Sequence, residues 1–205
     1  MGICDSKKNN ENNLSTAYNN KNTNINSINE TKYLHELNIL YEENGRYEGE
    51  IKNGKKEGKG ILYWNNGSRY EGEFRNDKMA GFGIKYYKSG EIYKGEWKND
   101  KREGKGIYYY NNDDRYEGDW KNDIREGIGI YYYNDEPSER ARYEGEWKND
   151  KQEGKGIYHY YNGDRYEGEW KNDKREGKGI YYFHDGETEI LCYKNNVQIK
   201  NINFH

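Results

Sequence analysis

From Tyr47 onward the chain alternates apolar or glycine positions with charged ones, in short runs broken by polar turns. The pattern returns at Tyr47-Glu48-Gly49, Tyr70-Glu71-Gly72, Tyr93-Lys94-Gly95, Tyr116-Glu117-Gly118, Tyr143-Glu144-Gly145 and Tyr166-Glu167-Gly168, with spacings of 23, 23, 23, 27 and 23. Each unit continues with an aromatic or apolar residue (Ile51, Phe74, Trp97, Trp120, Trp147, Trp170) and a turn such as Lys98-Asn99-Asp100-Lys101. A Gly-x-Gly pair follows, as at Gly104/Gly106. Period-2 alternation rich in aromatics, punctuated by turn residues, predicts two antiparallel strands per unit. The longer spacing absorbs residues 135–141, which contain the single proline, Pro137, and belong in a loop.

A register follows if Gly95 is set opposite Gly106. Tyr93 then faces Tyr108, and Trp97 faces Gly104. Glycine weakens a strand interior unless something approaches the bare backbone, so the glycines (Gly95, Gly104, Gly106, Gly118, Gly145, Gly168) are expected to make room for flat rings. On the opposite face the register places Glu50, Glu96, Glu146 and Glu169 against Lys59, Lys105, Lys155 and Lys178 as cross-strand ion pairs.

Composition supports a fold built from rings. Only 28 of 205 residues are Leu, Ile, Val or Phe, yet there are 24 Tyr and 5 Trp. With 34 basic and 37 acidic residues the net charge is −3, which fits neither a disordered polyelectrolyte nor the basic stripe of a nucleic-acid binder. Cys4 and Cys192 are too few for a disulfide framework. No apolar run approaches the length of a membrane span or the core of a signal peptide.

The first residues carry a different signal. Met1-Gly2-Ile3-Cys4-Asp5-Ser6 fits the N-myristoylation pattern, with Gly2 as acceptor. One myristoyl chain holds a bilayer only marginally, and Cys4 is placed to take a second, palmitoyl chain. Residues 1–8 are therefore read as a lipidation motif, and 9–30, rich in Asn, as a disordered tether. Ser27-Ile28-Asn29-Glu30 resembles a capping box ahead of Tyr33, Leu34, Leu37 and Leu40, so 31–46 is expected to hold a short capping helix or a half-repeat. Residues 189–205 form a degenerate terminal cap, with Glu189 and Leu191 in place of the repeat's Tyr and Gly.

Candidate catalytic chemistry is thin. Gly54-Lys55-Lys56-Glu57-Gly58-Lys59-Gly60 lacks the spacing and the Ser or Thr of a phosphate loop. His35, His159, His184 and His205 share no metal-ligand spacing. No cofactor, metal site or enzyme activity is expected.

The run Tyr166-Glu167-Gly168-Glu169-Trp170-Lys171-Asn172-Asp173, followed by Gly177-Lys178-Gly179-Ile180-Tyr181, resembles the MORN repeat family. The resemblance covers about 47–188 in six units. It implies an all-β, elongated, single-layer antiparallel meander, whose twelve strands would make a rod of roughly 60 Å. It also implies a groove lined by Tyr93, Trp97, Tyr108, Tyr116, Trp120, Tyr143, Trp147, Tyr166 and Trp170. Family members act as non-enzymatic scaffolds at membranes and cytoskeleton.

Three functions fit these residues. The first is a lipid-anchored scaffold whose aromatic groove holds a helix or extended peptide of a protein partner at the cytoplasmic face of the plasma membrane or its underlying skeleton. The second is an architectural homodimer or polymer joined through terminal strand edges. The third is a phospholipid-headgroup module, which the acidic neighbours of the turn lysines disfavour. A further patch is expected on the polar face, where Phe82 and Ile128 replace the lysine of Gly-Lys-Gly, with Ile84 and Ile130 two residues along. Glu73 and Asp119 would there lose their ion-pair partners.

Overall fold

The computed structural model describes residues 38–134 and 141–201, with side chains to 199. These residues form one open antiparallel sheet of fifteen strands, each hydrogen-bonded only to its sequence neighbours. The strands are β1 (Asn38–Glu42), β2 (Gly45–Lys52), β3 (Lys55–Trp64), β4 (Arg69–Arg75), β5 (Lys78–Tyr86), β6 (Ile92–Lys98), β7 (Lys101–Tyr109) and β8 (Arg115–Lys121). They continue as β9 (Ile124–Tyr132), β10 (Arg142–Lys148), β11 (Lys151–His159), β12 (Arg165–Lys171), β13 (Lys174–Tyr182), β14 (Thr188–Lys194) and β15 (Val197–Asn201). The all-β meander is thus as the sequence predicts. Of the segment 31–46, expected as a capping helix or a half-repeat, residues 38–42 are strand: β1 pairs with β2, Asn38 opposite Gly49, covering an edge that would otherwise be left unpaired. The lipidation motif, the tether and residues 31–37 lie outside the described residues, as do 135–140 of the insertion.

The glycines form a ladder. Gly49 pairs with Gly60, Gly60 with Gly72, Gly72 with Gly83, and so on through Gly95, Gly106, Gly118, Gly129, Gly145, Gly156 and Gly168 to Gly179. A tyrosine ring lies across each hairpin's pair. A Cβ on Gly106 would stand 2.6 Å from carbons of the Tyr93 ring, closer than real atoms approach. The phenol of Tyr93 donates to the Glu96 carbonyl at 3.1 Å, and Tyr47, Tyr70, Tyr116 and Tyr143 make the equivalent bond.

Two parts of the expected register need correction. Gly95 does face Gly106, and Tyr93 faces Tyr108, but Trp97 pairs with Arg102 rather than Gly104. Glu103, Gly104 and Lys105 together oppose the single residue Glu96, a bulge that Gly104 enables by taking φ +63. Trp97 instead stands opposite Gly81 of the preceding repeat, and Trp120 opposite Gly104. The expected Glu–Lys pairs change for the same reason. The Glu96 carboxylate folds over the bulge and accepts the Lys105 backbone N–H at 3.0 Å, as Glu50 does for Lys59 and Glu146 for Lys155. The Lys105 ammonium turns to Asp119, 2.6 Å away. Asp119 therefore keeps an ion pair, and it also accepts the Ile128 N–H at 2.9 Å.

Successive repeats are locked at their turns. Both central residues of each Asn-Asp turn have positive φ, as at Asn99 (50°) and Asp100 (68°), the requirement of a type I′ hairpin. Aspartate is a poor substitute for glycine there, but its carboxylate is used: Asp100 accepts the Met79 N–H at 2.8 Å while its own N–H donates to the Met79 carbonyl. The same exchange joins Asp77 to Lys56, Asp123 to Arg102, Asp150 to Arg125 and Asp173 to Gln152.

Candidate functional site

The candidate site is the aromatic face, and it has two tiers. The inner tier alternates the repeat tyrosines with the tryptophan position: Tyr47, Phe74, Tyr70, Trp97, Tyr93, Trp120, Tyr116, Trp147, Tyr143, Trp170, Tyr166, Tyr193. Successive rings meet edge-on at 5.0–5.8 Å with interplanar angles of 75–89°. Such contacts contribute about 0.5–1.5 kcal/mol each beyond their area. Each tryptophan ties its ring to the previous repeat, Nε1 of Trp97, Trp120, Trp147 and Trp170 donating to the carbonyls of Gly83, Gly106, Gly129 and Gly156 at 3.2–3.3 Å.

This tier corrects the expectation of an exposed aromatic row. Tyr93, Tyr116, Tyr143 and Tyr166 are 0% exposed, the four tryptophans 4–7% and Tyr108 8%. Because each ring is covered by its neighbours, these residues are the core of the sheet. Burial, with the Glu50 charge nearby, pushes the Tyr47 phenol up to about 12. Burial likewise takes Tyr166 to about 12, although Arg175 opposes the shift.

A second, outer tier of rings runs beside it, and of these only the buried Tyr108 is among the groove residues expected from the sequence. Tyr87, Tyr108, Tyr110, Tyr131, Tyr133, Tyr158, Tyr160, Tyr181 and Phe183 run in unbroken contact at 4.6–6.0 Å, tilted at 38–59°. Tyr108, Tyr131 and Tyr158 rest on Trp120, Trp147 and Trp170 at 6.0–6.3 Å. Tyr87, Tyr110, Tyr133, Tyr160 and Phe183 are half-buried. The available signal was the third ring of each Tyr-Tyr-Tyr or equivalent run, which also recurs at the repeat period.

Cations are set among these rings. The guanidiniums of Arg102 and Arg125 lie over Trp120 and Trp147 at 4.2 and 4.4 Å, and Arg175 lies over Tyr193 at 4.2 Å. Arg102 and Arg125 are held there by the turn aspartates Asp123 and Asp150. In the second repeat Lys85 takes the place of an outer tyrosine. Its ammonium sits 4.8 Å from Trp64, 5.1 Å from Tyr87 and 5.8 Å from Trp97, and burial pushes its pKa down.

On the opposite face, Phe82 and Ile128 are 49% and 57% exposed, while Ile84 and Ile130 are half-buried. Gly118, Gly145 and Gly168 lie in the ladder, and Gly104 is the bulge residue. Gly2 and Cys4 lie outside the described residues. Among the described residues, no group of three or more His, Cys, Asp or Glu is arranged to hold a metal.

Repeated hairpins that add side by side into one open sheet, carrying their core on one face, define a β-repeat protein. The MORN repeat family matches residues 47–69, 70–92, 93–115, 116–136, 143–165 and 166–188. The chain belongs to that family. No curated protein matches it. Among solved structures, the SAS-4 (dCPAP) TCP domain of Drosophila melanogaster, in complex with a proline-rich motif of Ana2 (dSTIL), is similar. That likeness covers 71% of this chain and 85% of the other, at 13% identity and a TM-score of 0.39.

Proposed function

We propose that this chain is a membrane-anchored, non-enzymatic scaffold that holds a protein partner on the outer tier of its aromatic face. The observation that carries the reading is the partly accessible ring strip from Tyr87 to Phe183, interleaved with fixed guanidiniums. Rigid aromatic and arginine groups lose little entropy on contact and dominate the binding energy of interfaces. A helix or an extended peptide laid along the strip would meet rings from Tyr87 to Phe183, with guanidiniums beside them at Arg102, Arg125 and Arg175. Lipid chains on Gly2 and Cys4 would supply the attachment, one chain being too weak alone.

Proximity labelling and fractionation of cells expressing the chain and its Gly2→Ala variant test this. The chain should sediment with membranes, Gly2→Ala should be soluble, and both should bind the same labelled partner when purified. Sedimentation unchanged by Gly2→Ala would contradict the anchor. A second reading, end-to-end assembly, is favoured by the exposed apolar residues Ile39, Tyr41, Val197 and Ile199 on the terminal strands. Under it, purified protein would form concentration-dependent oligomers in ultracentrifugation.

A further inference from the structure

We propose that the turn side of the second repeat is a binding site for a carboxylate. In five repeats a glutamate caps the next turn. Glu57, Glu103, Glu126, Glu153 and Glu176 accept the backbone N–H of Asn76, Asn122, Asn149, Asn172 and Asn195 at 2.8–3.1 Å. In the second repeat the glutamate position is Ala80, and the turn residue it should cap is Asn99. No hydrogen bond of the Asn99 N–H is found among the described residues. Where the glutamate would lie there is a cavity of about 500 Å³, bordered by both Ala80 and Asn99.

Charge sets the kind of ligand. The cavity is lined by the cations Arg75, Lys78 and Lys98 against two carboxylates, Glu96 and Glu103. Both carboxylates are engaged, Glu96 with the Lys105 N–H and Glu103 with the Asn122 N–H. The lining is therefore one positive charge in excess. The matching groove three repeats further along carries Glu146, Glu153, Glu169 and Glu176 against Lys155 and Lys171, two negative charges in excess. A single positive charge beside a vacant backbone donor matches a monoanion. A phosphate dianion would meet the two fixed carboxylates as well. The five filled positions show that the geometry suits a carboxylate, and hydrogen bonds from N–H groups to an ionised oxygen are among the stronger ones. The source is either an acidic side chain of a protein partner or a free carboxylate. The lining includes Trp97 of the inner tier but none of the outer rings from Tyr87 to Phe183, so the test does not depend on that strip's role.

Amide NMR of the full chain tests it, titrating sodium acetate against sodium chloride at equal ionic strength. The Asn99 amide should shift saturably, at least five times as far as that of Asn122, whose cap is present. Ala80→Glu, which restores the repeat pattern, should move the Asn99 amide to its end point without ligand and abolish the acetate response. A blocked Gly-Glu-Gly peptide binding at least tenfold more tightly than acetate would assign the site to a partner's side chain, and comparable binding would assign it to a free carboxylate. The proposal is overturned if Asn99 moves no further than Asn122, if the response persists in Ala80→Glu, or if inorganic phosphate binds more tightly than acetate.

Discussion

The two faces of the sheet are built by different rules on one backbone. On the aromatic face every ring is seated on glycine, on another ring, or on a carbonyl of the preceding repeat, so each repeat constrains the next. On the opposite face the contacts are smaller and more local. Arg69, Arg115 and Arg165 lie over Tyr86, Tyr132 and Tyr182 at 3.8–4.3 Å and pair with Glu71, Glu117 and Glu167. That face also admits exceptions: Phe82 and Ile128 stand in lysine positions, and His159 stands in a tyrosine position beside Glu144. The difference teaches where departures from the repeat are cheap. On the ring face a change to an inner ring disturbs the buried rings of two repeats, whereas on the other it meets partly exposed ion pairs and stacked arginines.

The largest expected effect comes from removing an inner ring. Trp120→Ala should cost about 3–5 kcal/mol in urea unfolding, because Trp120 packs edge-on against both Tyr93 and Tyr116. A loss under 1 kcal/mol would show that the tier is not the core.

Next comes the glycine ladder. Gly106→Val should cost about 1–3 kcal/mol by overpacking against the Tyr93 ring. Lys105→Val, one residue away on the other face, should cost less, and equal effects would dissolve the distinction between faces.

Alkali should separate the faces in a third way. Tyr47 and Tyr166 ionise near 12 in the fold because they are buried, against about 10 in the unfolded chain. A raised folded pKa contributes stability that is fully present below pH 10 and is lost as pH rises through 12. Phenolate absorbance should therefore appear in two stages, the later coinciding with loss of the β-sheet circular dichroism. A single titration near 10 with the sheet intact would contradict this.

The smallest effect is expected from Phe82→Lys with Ile128→Lys. Both residues are largely exposed, and the change restores the repeat pattern, so stability should move within about 0.5 kcal/mol. A reduction in self-association by the same variant would give the patch a role.

How much of this was legible in the sequence depended on which residues obeyed the alternation. Tyr93, Gly95, Gly106 and Tyr108 did, and once Gly95 is set opposite Gly106 the period-2 alternation pairs Tyr93 with Tyr108. Trp97 did not, because three residues around Gly104 bulge opposite Glu96, and counting in twos places it against the wrong partner. The glycine at 104 marked the irregularity but not its size. The role of Glu96 was hidden for a related reason: sequence suggests a charge partner, whereas its carboxylate is used by a backbone N–H. The outer tier was obscured by runs such as Tyr108-Tyr109-Tyr110. Adjacent residues there point to opposite faces, so a uniform aromatic stretch conceals two ring-face residues and one, Tyr109, on the other side.

The central claim is that the inner rings make the sheet and the outer rings meet the partner. It is tested most directly by the affinity of the labelled partner for two folded variants, one with Tyr110→Ser, Tyr133→Ser and Tyr160→Ser, the other with Phe82→Lys and Ile128→Lys. The account predicts at least a tenfold loss in the first, with the sheet's circular dichroism retained, and unchanged binding in the second. Full affinity in the first variant, or loss only in the second, would contradict it.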